Sequence, residues 1–223
     1  KYDWANRLIE VRKDGQVIAR YRYDAFNRRI EKVIGDTTIR YIYAGKDVIE
    51  EYKGEEVTSY VYNISNTDDI IMMKTQGKEY YYIKDHQGSI RGIMAETGEI
   101  VEVYRYSVYG KMQVYDSTGI KQEESQIGNE YTYTGRRYDR ETGLYYYRRR
   151  MYCPELGRFL QEDPTGFIDG LNLYVYAKNN PIRWTDPLGL ECVEEDKGYP
   201  EEEIEEGKGV GYNSCLLYTS DAA

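Results

Sequence analysis

Tyr23-Asp24-Ala25-Phe26-Asn27-Arg28-Arg29-Ile30 pairs a Tyr-Asp with an Asn, an Arg and an apolar residue at fixed offsets, and Tyr2-Asp3-Trp4-Ala5-Asn6-Arg7-Leu8 repeats that order. Working outward, Tyr-x-Tyr units recur at Tyr21/Tyr23, Tyr41/Tyr43, Tyr60/Tyr62, Tyr80/Tyr82 and Tyr104/Tyr106, each about twenty residues after the last. Alternation of this kind places both tyrosines of a pair on one face of a strand. Turn signals separate the units: Asp14-Gly15, Gly35-Asp36, Gly45-Lys46, Lys53-Gly54, Gly77-Lys78, Gln87-Gly88, Thr97-Gly98 and Thr118-Gly119. The pattern predicts a long antiparallel meander of hairpins, which must curl or be covered because open sheet edges invite aggregation. An ordinary β-sandwich is the competing architecture.

The composition fits a wide, thin sheet. The 223 residues include 27 Tyr against 3 Phe and 2 Trp, and a tyrosine ring can pack while its hydroxyl meets a polar partner. No stretch reaches the roughly 18 apolar residues of a membrane span, so no span is expected. The chain opens inside the repeated pattern and is expected to be a piece of a longer protein. Net charge is −9, but residues 191–223 hold ten acids against two bases, leaving 28 bases and 29 acids in residues 1–190. That balance argues against nucleic-acid binding, since the one basic run is Arg148-Arg149-Arg150. Cys153, Cys192 and Cys215 have no metal-ligand spacing, and His86 reads as a turn residue in Asp85-His86-Gln87-Gly88, so no metal or other cofactor is expected.

The two opening copies resemble the YD-repeat of Rhs proteins, and residues 82–90 with Tyr104–Gly110 resemble the late repeats of that family. Tyr133-Thr134-Gly135-Arg136-Arg137-Tyr138-Asp139, Thr142–Tyr147, Arg150–Pro154, Gly157–Phe159, Asp163-Pro164, Asn172-Leu173-Tyr174, Asn179-Asn180-Pro181 and Asp186–Leu190 follow the Rhs-associated core in order and spacing. The resemblance covers residues 1–190. It implies an all-β fold in which YD-repeats spiral into part of a curled shell (residues 1–130), followed by a mixed core or plug with a short helix (131–190). Too few strands are present to close a shell, so an open curved sheet is expected. The helix is placed near Leu171–Lys178, with Asp169 capping its first turn and Asn179-Asn180-Pro181 ending it.

Two Asp-Pro-x-Gly units, Asp163–Gly166 and Asp186–Gly189, stand 23 residues apart. Asp at the first position and Pro at the second favour a type I turn, which gives a purely structural reading. A functional reading needs the two carboxylates close together, one acting as general base on water and the other as general acid. The Rhs core is similar to an intramolecular aspartyl protease that cuts after Asp-Pro-x-Gly-Leu. Carried onto this chain, that implies catalytic Asp163, Asp186 and Arg150 and a cut between Leu190 and Glu191. Arg150 would orient or stabilise the carboxylates through its guanidinium fork, or simply pair with an acidic neighbour. Asp139 and Asp169 are reserve carboxylates, and Arg158 is assigned to structure.

Glu191–Ser214 carries nine acids and reads as a linker to a C-terminal toxin missing from this chain. Cys215–Ala223 resembles the translation of a sequencing-library adapter. Partners implied by the resemblance are that toxin, the upstream YD-repeat shell, a secretion apparatus and an immunity protein, with a secreted or cell-surface location. The competing functions are a non-cleaving surface, adhesion or carbohydrate-binding module and, with only its carboxylates in favour, a glycosidase.

Overall fold

The computed structural model describes residues 1–64 and 69–194. Twelve strands, from β1 (Glu10–Lys13) and β2 (Gln16–Tyr23) through β12 (Lys121–Gln122), pair antiparallel in strict chain order. The meander read from the turn signals is therefore present, as one open sheet with β1 and β12 at its edges.

The repeat motif has a local physical cause. Asp24 Oδ1 accepts the backbone N–H of Phe26 at 2.9 Å and of Arg28 at 2.9 Å, while its Oδ2 takes Arg28 Nε at 2.7 Å. Asp3 holds Ala5 and Arg7 in the same way. The residue between the two donors must then turn left-handed: Asn6 has φ 58° and Asn27 has φ 63°, a region Asn tolerates better than most residues. Asp85 with Gly88, in the turn that contains His86, repeats the device.

Both tyrosines of each pair face inward. Tyr21, Tyr41, Tyr60, Tyr80, Tyr82 and Tyr104 are buried. In three pairs the second hydroxyl reaches back to an earlier carbonyl, Tyr23 to Leu8 at 2.8 Å, Tyr43 to Arg29 at 2.8 Å and Tyr106 to Ile90 at 2.6 Å, whereas Tyr62 donates to the Tyr131 hydroxyl at 2.8 Å and Tyr82 to Asn129 Oδ1 at 2.9 Å. Register shifts fall between Arg22 and Tyr23, Ile42 and Tyr43, Val61 and Tyr62, and Ile83 and Lys84. A bulge recurring once per repeat bends the sheet in a fixed sense.

A second sheet, β13 (Arg137–Asp139), β14 (Leu144–Tyr147), β15 (Arg150–Cys153) and β16 (Arg158–Phe159), lies against the inner face. Strand β14 is buried on both faces. Tyr145 and Tyr147 enter a cluster with Tyr133, Tyr152, Phe159 and Tyr176, whereas Leu144 and Tyr146 pack with Leu8, Ala19 and Tyr21 of the large sheet. Tyr152 and Tyr176 approach to 4.4 Å between centroids and Tyr147 meets Phe159 at 5.7 Å; such pairs add about 0.5–1.5 kcal/mol beyond area burial. Charges clamp the layers together. Arg29, 1% exposed, reaches Asp139 at 2.5 Å and lies over the rings of Tyr21, Tyr41 and Tyr146. Lys32 adds Asp139 at 3.2 Å and Glu130 at 2.8 Å. Asp139, a reserve carboxylate in the sequence, is thus part of this clamp.

The helix expected over Leu171–Lys178 is absent. Residues Asn172–Val175 form a turn whose backbone serves its neighbours: Phe159 N–H donates to Tyr174 O and Asp163 N–H to Leu173 O, both at 3.0 Å. In this stretch single 3-10 turns stand at Phe167–Asp169 and Ala177–Asn179 instead; the residue preceding the second is Tyr176, not Asp169. Ala177, Lys178 and Asn179 have φ of 49°, 51° and 59°, the opposite hand to an α-helix. Aromatic and β-branched Tyr174-Val175-Tyr176 has weak helical preference, and complete burial of Tyr176 decides the conformation. A last pair, β17 (Trp184–Thr185) with β18 (Val193–Glu194), takes in the first residues of the segment expected as an acidic linker. Residues 195–223, with the rest of that linker, Cys215 and the adapter-like end, lie outside the described residues.

Candidate functional site

Arg150 begins β15, after a two-residue turn in which Arg148 takes φ 58°. That turn splits the three-arginine run Arg148-Arg149-Arg150. Arg148 reaches Pro187 O at 3.0 Å and Asp47 at 3.3 Å, Arg149 is exposed, and Arg150 points into the plug with 3% exposure. The Arg150 guanidinium lies over the Phe159 ring at 3.8 Å and its Nη1 donates to Leu173 O at 3.2 Å. Its Nη2 is shared: Asp163 Oδ2 lies at 2.9 Å and Asp186 Oδ2 at 2.8 Å. All three sequence-predicted side chains therefore meet at one nitrogen. Asp163 is 8% and Asp186 0% exposed.

Both Asp-Pro-x-Gly units also form the turns their composition predicts. Gly166 N–H donates to Asp163 O at 3.1 Å and Gly189 N–H to Asp186 O at 3.4 Å. The structural and functional readings are not alternatives here, because the turns are what aim the carboxylates. Asp186 Oδ1 accepts the backbone N–H of Leu190 at 2.9 Å and of Glu191 at 3.3 Å. Asp163 Oδ1 accepts Thr165 N–H at 2.9 Å and Thr165 Oγ1–H at 2.6 Å, and Thr165 Oγ1 stands 3.3 Å from Leu190 O. The Leu190–Glu191 peptide is thus contacted at its nitrogen from Asp186 and at its oxygen from the Asp163 turn.

Burial pushes the Asp186 carboxyl above the usual carboxylate range, against the opposing pull of the Leu190 N–H and the Arg150 charge. Close packing fixes the loop. Gly189 has φ +67°, and a Cβ there would lie 2.5 Å from Tyr147 O and 3.2 Å from Arg150 N. Asp169 lies in the 3-10 turn Phe167–Asp169, and Arg158 lies over the Tyr174 ring at 4.6 Å on the surface. The sequence assigns neither Thr165 nor Arg148 a role in the site. Thr165 occupies the unspecified position of its Asp-Pro-x-Gly unit, and only the fold brings Arg148 beside Pro187.

An open meander of tyrosine-paired hairpins, bound through its inner face to an aromatic plug, defines a segment of a YD-repeat shell. A family profile described as teneurin YD-shell matches residues 1–182, and the chain belongs to that family. It is 32% identical over 196 residues to the tRNA nuclease WapA of Bacillus subtilis, a match covering 84% of this chain and 8% of that protein. It is 31% identical over 206 residues to the toxin subunit YenC1 of Yersinia entomophaga, covering 82% of this chain and 21% of the relative. A 28% identical match over 219 residues, 85% of this chain and 15% of the relative, is to double-stranded DNA deaminase toxin A of Burkholderia cenocepacia. The chain thus spans a small fraction of these relatives. Among solved structures, TcdB2-TccC3-Cdc42 shares the fold with a TM-score of 0.66 and 24% identity over 85% of this chain and 10% of that one.

Proposed function

We propose that this segment is the plugged end of a toxin-enclosing shell, and that Arg150, Asp163 and Asp186 cut the chain once between Leu190 and Glu191. The observation that carries the cut is the seating of that peptide: Glu191 N on Asp186 Oδ1, with Leu190 O beside the Thr165 hydroxyl that Asp163 holds. Asp186, raised by burial, is the general acid for the departing Glu191 nitrogen. Asp163 is the general base that takes a proton from the attacking water. Arg150 holds the two carboxyls together and offsets their charge through Nη2, while Nη1 anchors the guanidinium on Leu173 O. A tightly seated, preorganised peptide supplies the orientation that makes an intramolecular reaction fast.

The shell reading is supported by what the relatives share and do not share. WapA and the deaminase toxin carry names for different activities, a tRNA nuclease and a DNA deaminase, yet each matches this chain over more than four-fifths of its length. A segment common to both fits the housing better than either activity. On this reading the cut frees a toxin domain following the acidic linker, further YD-repeats pair with the open edge at β1, and a secretion apparatus and an immunity protein complete the system at a secreted or cell-surface location. The test is N-terminal sequencing of the released downstream piece. A start at Glu191 supports the reading, and a start elsewhere, or no release from a folded chain, refutes it.

A further inference from the structure

We propose that the Thr165 hydroxyl is a catalytic residue of the cut, the donor that receives the negative charge developing on Leu190 O; this rests on the self-cleavage reading above. Its hydroxyl has two acceptors and one proton. Oγ1 lies 2.6 Å from Asp163 Oδ1 and 3.3 Å from Leu190 O, so before reaction the proton points to Asp163 and the scissile carbonyl is only brushed.

Attack changes that balance. Water loses a proton to Asp163 as its oxygen bonds to the Leu190 carbonyl carbon, and the carbonyl π pair moves onto Leu190 O. Asp163, now a neutral acid, no longer competes as an anion and instead donates to Thr165 Oγ1, which turns its own proton onto the new oxyanion. The C–N bond then breaks with its pair passing to Glu191 N, which takes a proton from Asp186. Leu190 leaves as an acid and Glu191 as an amine, and one proton has moved from Asp186 to Asp163 overall. The hydroxyl thus strengthens a bond only as charge develops, the condition under which an interaction accelerates chemistry rather than ground-state binding.

The turn itself does not need this hydroxyl. In the second unit, Asp186-Pro187-Leu188-Gly189, Leu188 holds the equivalent position, 41% exposed, and the same Gly N–H to Asp C=O bond closes the turn. The two units differ at the one place where the first lies against the scissile carbonyl.

The test is the half-time of cleavage of the full 223-residue chain, followed by mass spectrometry from the onset of cell-free synthesis. Thr165→Val should slow the cut by about 100-fold or more, the loss typical of one oxyanion donor, while Thr165→Ser restores it to within a few-fold of the parent. Thr165→Val cutting at the parental rate overturns the proposal, as does a Ser variant as slow as Val, which would assign the effect to shape. If the Val variant lacks the parental circular dichroism, Thr165→Ala is read in its place against the same outcomes. A folded parent that never cuts overturns the self-cleavage reading and this inference together; a parent that cuts, with Asp163→Asn uncut and Thr165→Val unimpaired, overturns this inference alone.

Discussion

Asp186 stands 3.3 Å from the amide nitrogen of Glu191, five residues downstream in its own chain. Accepting Leu190 N–H on the same oxygen at 2.9 Å, its carboxyl holds the amide hydrogens on both sides of Leu190 and so stands beside the nitrogen that a cut would release. Burial favours its neutral form, and only that form can donate.

The pH dependence follows in sign. Because burial raises the Asp186 carboxyl, its protonated fraction, and with it the cleavage rate, is expected to fall as pH rises through that elevated value. Timed mass spectra across pH steps check this. Asp186→Asn should lose both the rate and this falling limb; a rate that climbs with pH over the same range contradicts the assignment of Asp186 as the acid.

Arg150 is expected to matter for stability as well as chemistry. Arg150→Met leaves two buried carboxyls facing each other without their cation, a loss of about 3–5 kcal/mol for a broken buried pair. Urea unfolding should show the lowered midpoint, and cleavage should cease. Arg150→Lys should fail to restore the cut, since one ammonium lacks the fork that reaches Asp163, Asp186 and Leu173 O together.

Gly189→Ala separates positioning from folding. The added Cβ meets Tyr147 O at 2.5 Å and the φ of +67° disfavours a side chain, so the loop must shift. A displacement near 1 Å costs about 100-fold in an oriented reaction. The expected outcome is a folded chain, by circular dichroism, that cuts far more slowly than the parent.

The clamp between sheet and plug is tested at Asp139. Asp139→Asn leaves Arg29 and Lys32, each 1% exposed, without their shared carboxylate. The expected loss is about 3–5 kcal/mol, a large part of the roughly 5–15 kcal/mol that holds a domain folded. The change in urea midpoint measures it, and little or no change would assign the docking to the aromatic contacts and the remaining ion pairs, such as Lys32–Glu130 and Arg148–Asp47.

Much of the fold was legible because its causes are local. Asp24 binding the N–H groups two and four residues on, Asn27 turning left-handed between them, and Tyr21 with Tyr23 on one face are properties of a short stretch that any copy of the motif repeats. Asp163, Asp186 and Arg150 were legible through their motifs, and the fold brings them together. Long-range packing was not. Tyr176 takes its conformation from Tyr147 and Tyr152, which removed the expected helix. Thr165 meets Leu190 only when two distant turns converge. Asp139 looked like a spare carboxylate because its partners Arg29 and Lys32 lie over a hundred positions upstream.

The most direct measurement is the intact mass of the freshly synthesised chain beside its Asp163→Asn and Asp186→Asn variants, with circular dichroism on each. Expected is a parent ending at Leu190 and two folded variants at full length. A folded parent at full length, or either variant cut at the same bond and rate as the parent, would contradict self-cleavage by this pair of carboxyls.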